Sequence, residues 1–245
     1  MKLLFKSCTL ALLFVCFGTN LMAQKKQILV DVAHGQKFYS DPANRISTEL
    51  VPTQRLEYMT GELAKNAATH NAEITFLKAS ITSEVLSKVD LLFIHVPSIK
   101  YSEAECKAIH HFLEKGGSLF IAIEEDFWAT LDQINANDLV SPFGIKFFSN
   151  NPDQTVGGYS TAGTVTKKKY AIPFHGARLV DGGAPFAFSN RSEPSSFAVF
   201  TEIKGGGKII AMGEAMVSLY MTSWQEVNNY ECAPFMEDVI GWLLK

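Results

Sequence analysis

The sequence predicts an α/β domain built on a mostly parallel, doubly wound sheet. Strand and helix patterns alternate through the first half of the chain, and three successive strand–helix–strand units favour right-handed crossovers between parallel strands. Residues 91–96 and 119–123 are continuous apolar runs, as expected where both faces of a sheet are covered. Residues 149–196 are rich in Gly, Pro, Asn, Ser and Thr, which predicts an antiparallel, loop-rich insertion in the second half of the same domain.

The start of the chain, residues 1–23, has the pattern of a secretory signal peptide. Two lysines give it a positive start, residues 8–18 form a short apolar run, and the pattern ends at Ala23. An uncleaved membrane anchor is the alternative, but the run falls short of the ~20 apolar residues that span a bilayer. We therefore expect an exported chain, periplasmic or secreted, with residues 24–245 forming a single domain.

The elements of the first half follow in order. Residues 28–33 form the first strand, and Pro52 opens a helix. That helix is predicted from apolar residues that recur at helical spacing, namely Leu56, Met59, Leu63 and Ala67. Residues 74–77 form the second strand, and a brief helix around residues 85–86 precedes the third strand.

The next helix has the clearest signals in the chain. Ser102 followed by Glu105 forms a capping box, in which each side chain bonds a free backbone N–H of the first turn. The buried stripe is predicted to be Ile109, Phe112 and Leu113. A pair of glycines, residues 116–117, ends the helix because glycine accepts the left-handed conformation found there.

The second half is predicted to contain shorter strands. A strand at residues 143–148 precedes the insertion, whose strand candidates are residues 163–165, 177–180 and 186–188. Residues 197–203 and 208–212 flank a run of three glycines, which predicts a hairpin at one edge of the sheet. Pro234 suits the first turn of a final helix.

Charge and cysteine content exclude some classes of function. The chain has 22 lysines and arginines against 25 acidic residues, a net charge of −3. No basic stripe is present, so we expect no nucleic-acid partner. Beyond the predicted signal, no apolar segment is long enough to span a membrane. Cys106 and Cys232 lie on predicted helices; an exported compartment would permit a disulfide between them, but two buried thiols are the favoured interpretation.

Polar residues follow several strands of the predicted sheet. Because the carboxyl ends of parallel strands share one edge, we expect these residues to line a ligand site there. They are Asp31, His34, Gly35, Gln36, His95, Glu124, Glu125, Asp126 and Glu214. Such a set could bind a polar ligand or carry out general acid–base chemistry. The alternative is that the carboxylates cap helices and accept hydrogen bonds from loop amides.

The insertion adds a second group of candidates. His175 and Arg178 lie close together on a glycine-rich loop, and such loops often carry function on a rigid scaffold. The alternative is a tight turn with a solvated ion pair. The sequence has no His-x-x-x-His or Cys-x-x-Cys spacing, so we predict no metal site and no cofactor.

Four segments together resemble one known superfamily. They are residues 28–35, residues 90–97 with the capped helix, residues 115–121 and residues 207–213. In their order and spacing they resemble the class I glutamine-amidotransferase-like superfamily, and in particular its non-catalytic branch. That branch includes intraflagellar-transport and gliding-motility proteins and secreted bacterial domains of unknown function.

The resemblance implies a flavodoxin-like sheet and, in catalytic members, a cysteine nucleophile on a sharp turn. The corresponding turn here is residues 124–127, which contains no cysteine. Catalytic members also carry a His and a Glu on a late loop, whereas residues 213–215 offer only Glu214. Both departures argue against glutaminase chemistry, because a thiolate needs a base within hydrogen-bond reach.

We therefore predict an exported, non-catalytic domain that binds a small polar ligand or an envelope protein partner. Carbohydrate is the favoured class of ligand. No catalytic residue is assigned. The alternative is a hydrolase that acts on a glycan or a peptide through a carboxylate and a histidine.

Overall fold

A computed structural model describes residues 24–36, 38–43, 50–150, 157–175, 178–221 and 226–245. The strands in these ranges are β1 (Lys26–Asp31), β2 (Ala72–Leu77), β3 (Leu91–His95), β4 (Ser118–Ala122), β5 (Lys146–Asn150), β6 (Gly158–Ser160), β7 (Ala171–Ile172), β8 (Arg178–Asp181), β9 (Ala184–Ser189), β10 (Ser196–Glu202) and β11 (Lys208–Met212). The helices are α1 (Leu50–Thr69), α2 (Ser83–Leu86), α3 (Glu103–Glu114), α4 (Leu131–Ile134), α5 (Ala136–Val140) and α6 (Cys232–Leu243).

The strands form one large mixed sheet with the order β2-β1-β3-β4-β11-β10-β9-β6-β7. The first five strands in this order run parallel, and the pairings from β11 to β7 are antiparallel. Strands β5 and β8 form a separate antiparallel pair. The predicted mixed α/β architecture, with a parallel and an antiparallel part, is confirmed.

Helices cover both faces of the parallel strands. On one face, Val30 and Phe93 belong to a core that includes Met59 of α1 and Phe235 of α6. On the other face, residues such as Leu92 belong to a core built with α2 and α3. All five residues of β3 and of β4 are buried, which explains their continuous apolar sequences. The carboxyl ends of β1, β3, β4 and β11 therefore share one edge.

Helix α3 confirms the predicted capping box. The Ser102 hydroxyl accepts the Glu105 N–H at 3.3 Å, and the Glu105 carboxylate accepts the Ser102 N–H at 2.9 Å. The helix begins at Glu103 and ends at Glu114, just before the glycine pair. Cys106 on this helix and Cys232 on α6 are buried and free, so the two-thiol interpretation holds in the structure.

Several predicted boundaries differ from the structure. The hairpin of β10 and β11 lies inside the large sheet and not at its edge, because β9, β6 and β7 extend the sheet beyond β10. Residues 163–165 form part of a turn, and the nearby strand is β6. The last helix begins two residues before Pro234, and α1 begins at Leu50. Within the described ranges, no helix has the length and apolar content that crossing a membrane requires.

Gly207 marks a close approach between two backbone segments. A Cβ at this position would lie 1.7 Å from the carbonyl oxygen of Gly117, so the backbone would have to move. We expect Gly207→Ala to lower the free energy of unfolding by about 1–3 kcal/mol. The matched control is Gly61→Ala in α1, where a Cβ meets nothing within 4 Å and should stabilise by about 0.5–1 kcal/mol. Urea denaturation measures both, and an unchanged Gly207→Ala would contradict the close approach.

Candidate functional site

The polar residues predicted for the sheet edge separate into two clusters. Asp31 ends β1 and His34 follows it, and the two form the first cluster with Tyr101 and with Glu105 of α3. Glu124 follows β4, Glu214 follows β11, and the two form the second cluster. His95 ends β3, the strand between β1 and β4.

The Asp31 carboxylate is buried and saturated with hydrogen bonds. Oδ1 accepts the backbone N–H of Ala33 at 3.0 Å and that of His34 at 3.3 Å. Oδ2 lies 2.8 Å from His34 Nδ1 and accepts the Tyr101 hydroxyl at 2.7 Å. Asp31 thus holds the loop that follows β1 by accepting hydrogen bonds from its backbone amides, which was the alternative to a ligand role.

The opposite side of the His34 ring faces α3. Nε2 lies 3.3 Å from Glu105 Oε1, and Tyr101 stacks on the ring with centroids 4.0 Å apart. Glu105 also accepts the backbone N–H of Ile81 at 3.0 Å, in addition to its capping bonds. The imidazole is therefore held between two carboxylates and an aromatic ring. We call Asp31, His34, Tyr101 and Glu105 the His34 lock.

The carboxylates of the His34 lock and the burial of the imidazole shift the pKa of His34 in opposite directions. Burial lowers the pKa of His34, but the hydrogen bond and charge of Asp31 and the charge of Glu105 outweigh it, so the pKa is raised. Burial, followed by the charge of Asp31, raises the pKa of Tyr101 well above its usual range. The arrangement favours the imidazolium form of His34 between two carboxylates, and both ring nitrogens face carboxylates of the protein.

Gly35 and Gln36 complete the turn after β1. Gly35 has a φ of +66°, which favours glycine, and its carbonyl accepts the Ser98 hydroxyl at 2.7 Å. The Gln36 amide nitrogen donates to the carbonyl of Asp31, while its Oε1 is buried without a hydrogen-bond partner. Both residues lie at the predicted edge, and a ligand role for them stays a prediction.

His95 is enclosed by the core. Its side chain is buried, with Nε2 3.1 Å from the Ala215 carbonyl and with Tyr39 and Phe38 packed against the ring. Burial lowers the pKa of His95 to about 3, so the ring is neutral at physiological pH. The aromatic side chains of the loop after β1 separate this histidine from solvent.

The second cluster contains a buried pair of acids. Glu124 Oε2 accepts the Ala215 N–H at 2.8 Å, and Glu214 accepts the backbone N–H groups of His175 at 2.7 Å and Met216 at 3.0 Å. His175 Nδ1 lies 3.6 Å from Glu214 Oε2, an ion-pair distance that is too long for a hydrogen bond. The structure therefore brings three predicted residues together, and the half-exposed His175 gives this cluster contact with solvent.

Burial and neighbouring charge set the protonation of this cluster. Burial, followed by the charge of Glu214, raises the pKa of Glu124 well above its usual range. The contact with Glu214 raises the pKa of His175. The arrangement favours the neutral form of Glu124.

The raised pKa of Glu124 predicts a pH-dependent effect of Glu124→Gln. A group whose pKa is raised by folding stabilises the protein below its unfolded pKa, here near 4.5, and that contribution is lost as the pH rises. We expect the free energy of unfolding of Glu124→Gln, relative to that of the wild type, to increase with pH above 4.5. The increase should be at most about 1.4 kcal/mol per pH unit. Denaturant unfolding from pH 4 to 7 measures this difference. The neighbouring Glu125→Gln is the exposed control, and parallel pH profiles for the two variants would contradict the assignment.

Arg178, a predicted ligand-binding candidate, is buried completely, which differs from the solvated ion pair considered as the alternative. Its Nε donates to the Glu124 carbonyl at 2.7 Å, and Nη2 donates to the Ala129 carbonyl at 3.0 Å and to the Asp126 carboxylate. The Arg178 N–H donates to the carbonyl of Gly213, where a Cβ would lie 2.2 Å from the Arg178 carbonyl oxygen. Arg178 thus clamps the turn after β4 to β8.

The exposed large apolar side chains of the described residues lie near the same edge. They are Phe127, 80% exposed, Ile99, 52%, and Phe148, 39%. Ile99 follows β3, Phe127 follows β4, and Phe148 lies on β5, where its carbonyl faces Arg178 Nη1 at 3.4 Å. The Trp128 ring contacts that of Phe127, with centroids 5.2 Å apart. We call Phe127, Trp128 and Phe148 the Phe127 surface.

Sequence reasoning missed two parts of this edge. Tyr101 gave no signal beyond its place before a capping box, and Glu105 was identified only as the capping residue. Phe127 lies in the turn compared with the amidotransferase nucleophile turn, yet its exposure was not predicted. An aromatic residue directly after three acidic residues was the available signal.

Comparison with known proteins finds one matching family model and several structures of similar fold. The model of the IFT52 GIFT domain matches residues 53–161. The mmIFT52 N-terminal domain is similar in structure, with a TM-score of 0.63 and 18% identity over 89% of this chain and 97% of that one. No curated protein matches the sequence.

Two bacterial structures share the fold at lower identity. A cytoplasmic protein from Salmonella typhimurium LT2 has a TM-score of 0.59 and 12% identity, over 89% of this chain and all of that one. A ThuA-like protein from Bacteroides uniformis ATCC 8492 has a TM-score of 0.54 and 12% identity, over 93% and 95% of the two chains. Together with the IFT52 matches, they fit a glutamine-amidotransferase-like fold with a domain of the IFT type.

These matches correct the predicted localisation. The IFT52 GIFT domain is the domain of an intraflagellar-transport protein, and the match to it contradicts the prediction of an exported, periplasmic or secreted chain, which is therefore wrong. The predicted signal peptide, residues 1–23, lies outside the described residues, and the comparisons do not support it.

Proposed function

We propose that this chain is a non-catalytic protein-interaction domain that works within a protein complex. One observation carries the proposal: at the edge where the fold would hold a ligand, several of the predicted polar side chains are turned inward, while large apolar side chains face solvent. His34, Glu124 and Arg178 are buried and bonded within the protein, whereas Phe127 is 80% exposed. The similarity to the IFT52 GIFT domain supports the same class of function.

The geometry of the turn after β4 suits protein recognition. Arg178 bonds the Glu124 carbonyl, the Asp126 carboxylate and the Ala129 carbonyl, so the backbone on both sides of Phe127 is fixed. A side chain held in place before binding loses less conformational entropy when a partner docks. Exposed aromatic side chains of this kind are common anchors of protein interfaces.

Phe127→Ser tests the proposed function. We expect this variant to bind its partners at least about tenfold more weakly, because the loss of an aromatic anchor costs about 2 kcal/mol. Its free energy of unfolding should change by less than about 0.5 kcal/mol, because the side chain is exposed. The measurement is quantitative mass spectrometry of proteins that co-purify with the full chain from its native cells.

The control is Lys107→Ser, at another exposed position, on α3. Proteins that depend on Phe127 should remain bound to this control variant. Recovery of the same proteins in the same amounts by Phe127→Ser and wild type would contradict the proposed function.

Binding of a small polar ligand is a second candidate, and one observation favours it. Glu124, Glu214 and His175 form a cluster that combines buried acids with a half-exposed imidazole. A bound ligand would raise the melting temperature by mass action. A thermal-shift screen of carbohydrates and short peptides should then give a rise that His175→Gln removes, and no rise with any compound would contradict this candidate.

We also propose that the fold is flavodoxin-like and that the chain is related to the class I glutamine-amidotransferase-like superfamily. The parallel strand order β2-β1-β3-β4-β11 supports this classification. The turn after β4 carries Glu124 at the place of the nucleophile, and Cys106 lies buried on α3. Burial raises the pKa of Cys106, which disfavours a reactive thiolate.

A further inference from the structure

The amino ends of the parallel strands lie at the edge opposite the Phe127 surface, and this edge is rich in lysines. Three clefts of about 460, 190 and 360 Å³ lie there, and Asp90 lines all of them. Their shared margin carries six lysines: Lys25, Lys26, Lys88, Lys115, Lys208 and Lys245. We call these lysines and the clefts between them the lysine face.

Asp90, the one acid that lines the three clefts, already has partners within the protein. Asp90 Oδ2 accepts the Gln27 N–H at 2.8 Å, and Oδ1 lies 3.1 Å from Lys26 Nζ. Lys208 bonds the Trp242 carbonyl at 2.9 Å and not a carboxylate. Burial lowers the pKa of Lys208; the charge of Glu202 opposes this shift, and the charges of Lys245 and Lys26 add to it. Glu73 lies 3.7 Å from Lys25 Nζ, and the charge of Glu202 acts on Lys208. The six lysines of this face therefore outnumber the three acids, Asp90, Glu73 and Glu202, that these contacts and charges bring to them.

The largest of these three clefts adds an apolar floor to this positive surface. It lies between α2 and α3, and Leu86, Val89, Ala108 and Phe112 line it. Lys115 and His111 are part of the same lining. A cleft of about 460 Å³ is large enough for an apolar side chain such as leucine, flanked by charged positions on its rim.

We propose that the lysine face binds an acidic segment of a partner protein, with one apolar side chain in the cleft between α2 and α3. This rests on the proposed interaction function and adds a second surface and the chemistry of its partner. The carboxylates of the segment lie on the surrounding lysines, which supply charge complementarity. The apolar floor and the central Asp90 favour a peptide over the continuous phosphate backbone of a nucleic acid.

The probe for the test is a fluorescein-labelled dodecapeptide of Asp, Glu and Gly with one central Leu. Fluorescence anisotropy with the full chain should give saturable binding that weakens as salt is raised. Lys88→Glu and Lys115→Glu should each weaken binding by about two- to fivefold. Replacing the central Leu of the peptide with Ser should weaken it by about tenfold.

Matched controls separate this site from general charge attraction. Lys107 lies on α3 but lines none of the three clefts, so Lys107→Glu should weaken peptide binding less than Lys88→Glu or Lys115→Glu. The comparison probes are a twelve-nucleotide single-stranded DNA and vesicles that contain phosphatidylserine, and both should bind more weakly than the peptide. All three lysines are exposed, so the variants should fold normally.

Three results would overturn the proposal. They are no saturable binding at millimolar peptide, equal weakening by Lys107→Glu, and tighter binding of DNA or vesicles. If the peptide fails while co-purification still depends on Phe127, this inference falls and the proposed function stands. If the peptide does not bind and co-purification does not depend on Phe127, the proposed function is contradicted as well.

Discussion

Replacing Arg178 with methionine is expected to lower the free energy of unfolding by about 3–5 kcal/mol. The guanidinium is fully buried and is bonded to the Glu124 carbonyl, the Ala129 carbonyl and the Asp126 carboxylate. Methionine fills a similar volume but leaves these acceptors without their donors, and unpaired buried polar groups are costly. Equilibrium urea denaturation measures the difference.

The control for this prediction is Arg191→Met, because Arg191 is exposed on the loop between β9 and β10. Its effect should stay within about 0.5 kcal/mol. A similar stability for the two arginine variants would show that the Arg178 clamp contributes little. The clamp would then no longer explain how the turn that carries Phe127 is held in place.

His34→Phe is expected to lower the free energy of unfolding by about 3 kcal/mol at pH 6. Phenylalanine preserves the stacking on Tyr101 but leaves the buried carboxylates of Asp31 and Glu105 without the cation between them. Tyr101→Phe is the milder companion variant, because it removes only the hydroxyl that donates to Asp31 at 2.7 Å. Its expected cost is about 1–2 kcal/mol.

The His34 lock also predicts the direction of a pH dependence. The pKa of His34 is raised by folding, so its stabilising contribution is complete below the unfolded value of 6.5. The contribution declines as the pH rises through the folded pKa. The stability difference between wild type and His34→Phe should therefore shrink from pH 6 to pH 9. A difference that grows over this range would contradict the imidazolium between two carboxylates.

The parallel half of the fold could be predicted from the sequence because its signals are local. Continuous apolar runs placed β3 and β4, and the Ser102–Glu105 capping box placed the start of α3. The antiparallel half was less accessible. Strands β6 and β7 have three and two residues, too few to show a hydrophobic period, and the hairpin was therefore placed at an edge that they extend.

The sequence predicted where the candidate site lies, but it did not predict how the side chains contact one another. The sequence identified polar residues after β1, β3, β4 and β11, and parallel strands bring them to one edge. It could not show that His34 lies between Asp31 and Glu105, because Glu105 comes from a helix whose packing against the loop is tertiary. The burial of Arg178 was hidden for the same reason, since its acceptors are backbone carbonyls in a distant turn.

Photo-crosslinking at position 127 tests most directly whether this edge binds a protein. With p-benzoylphenylalanine in place of Phe127, illumination of the native cells should produce discrete adducts between the full chain and a partner protein. The same photo-reactive residue in place of Lys107, exposed on α3, should not produce those adducts. An absence of protein adducts at position 127, or the same adducts at both positions, would contradict the interaction function.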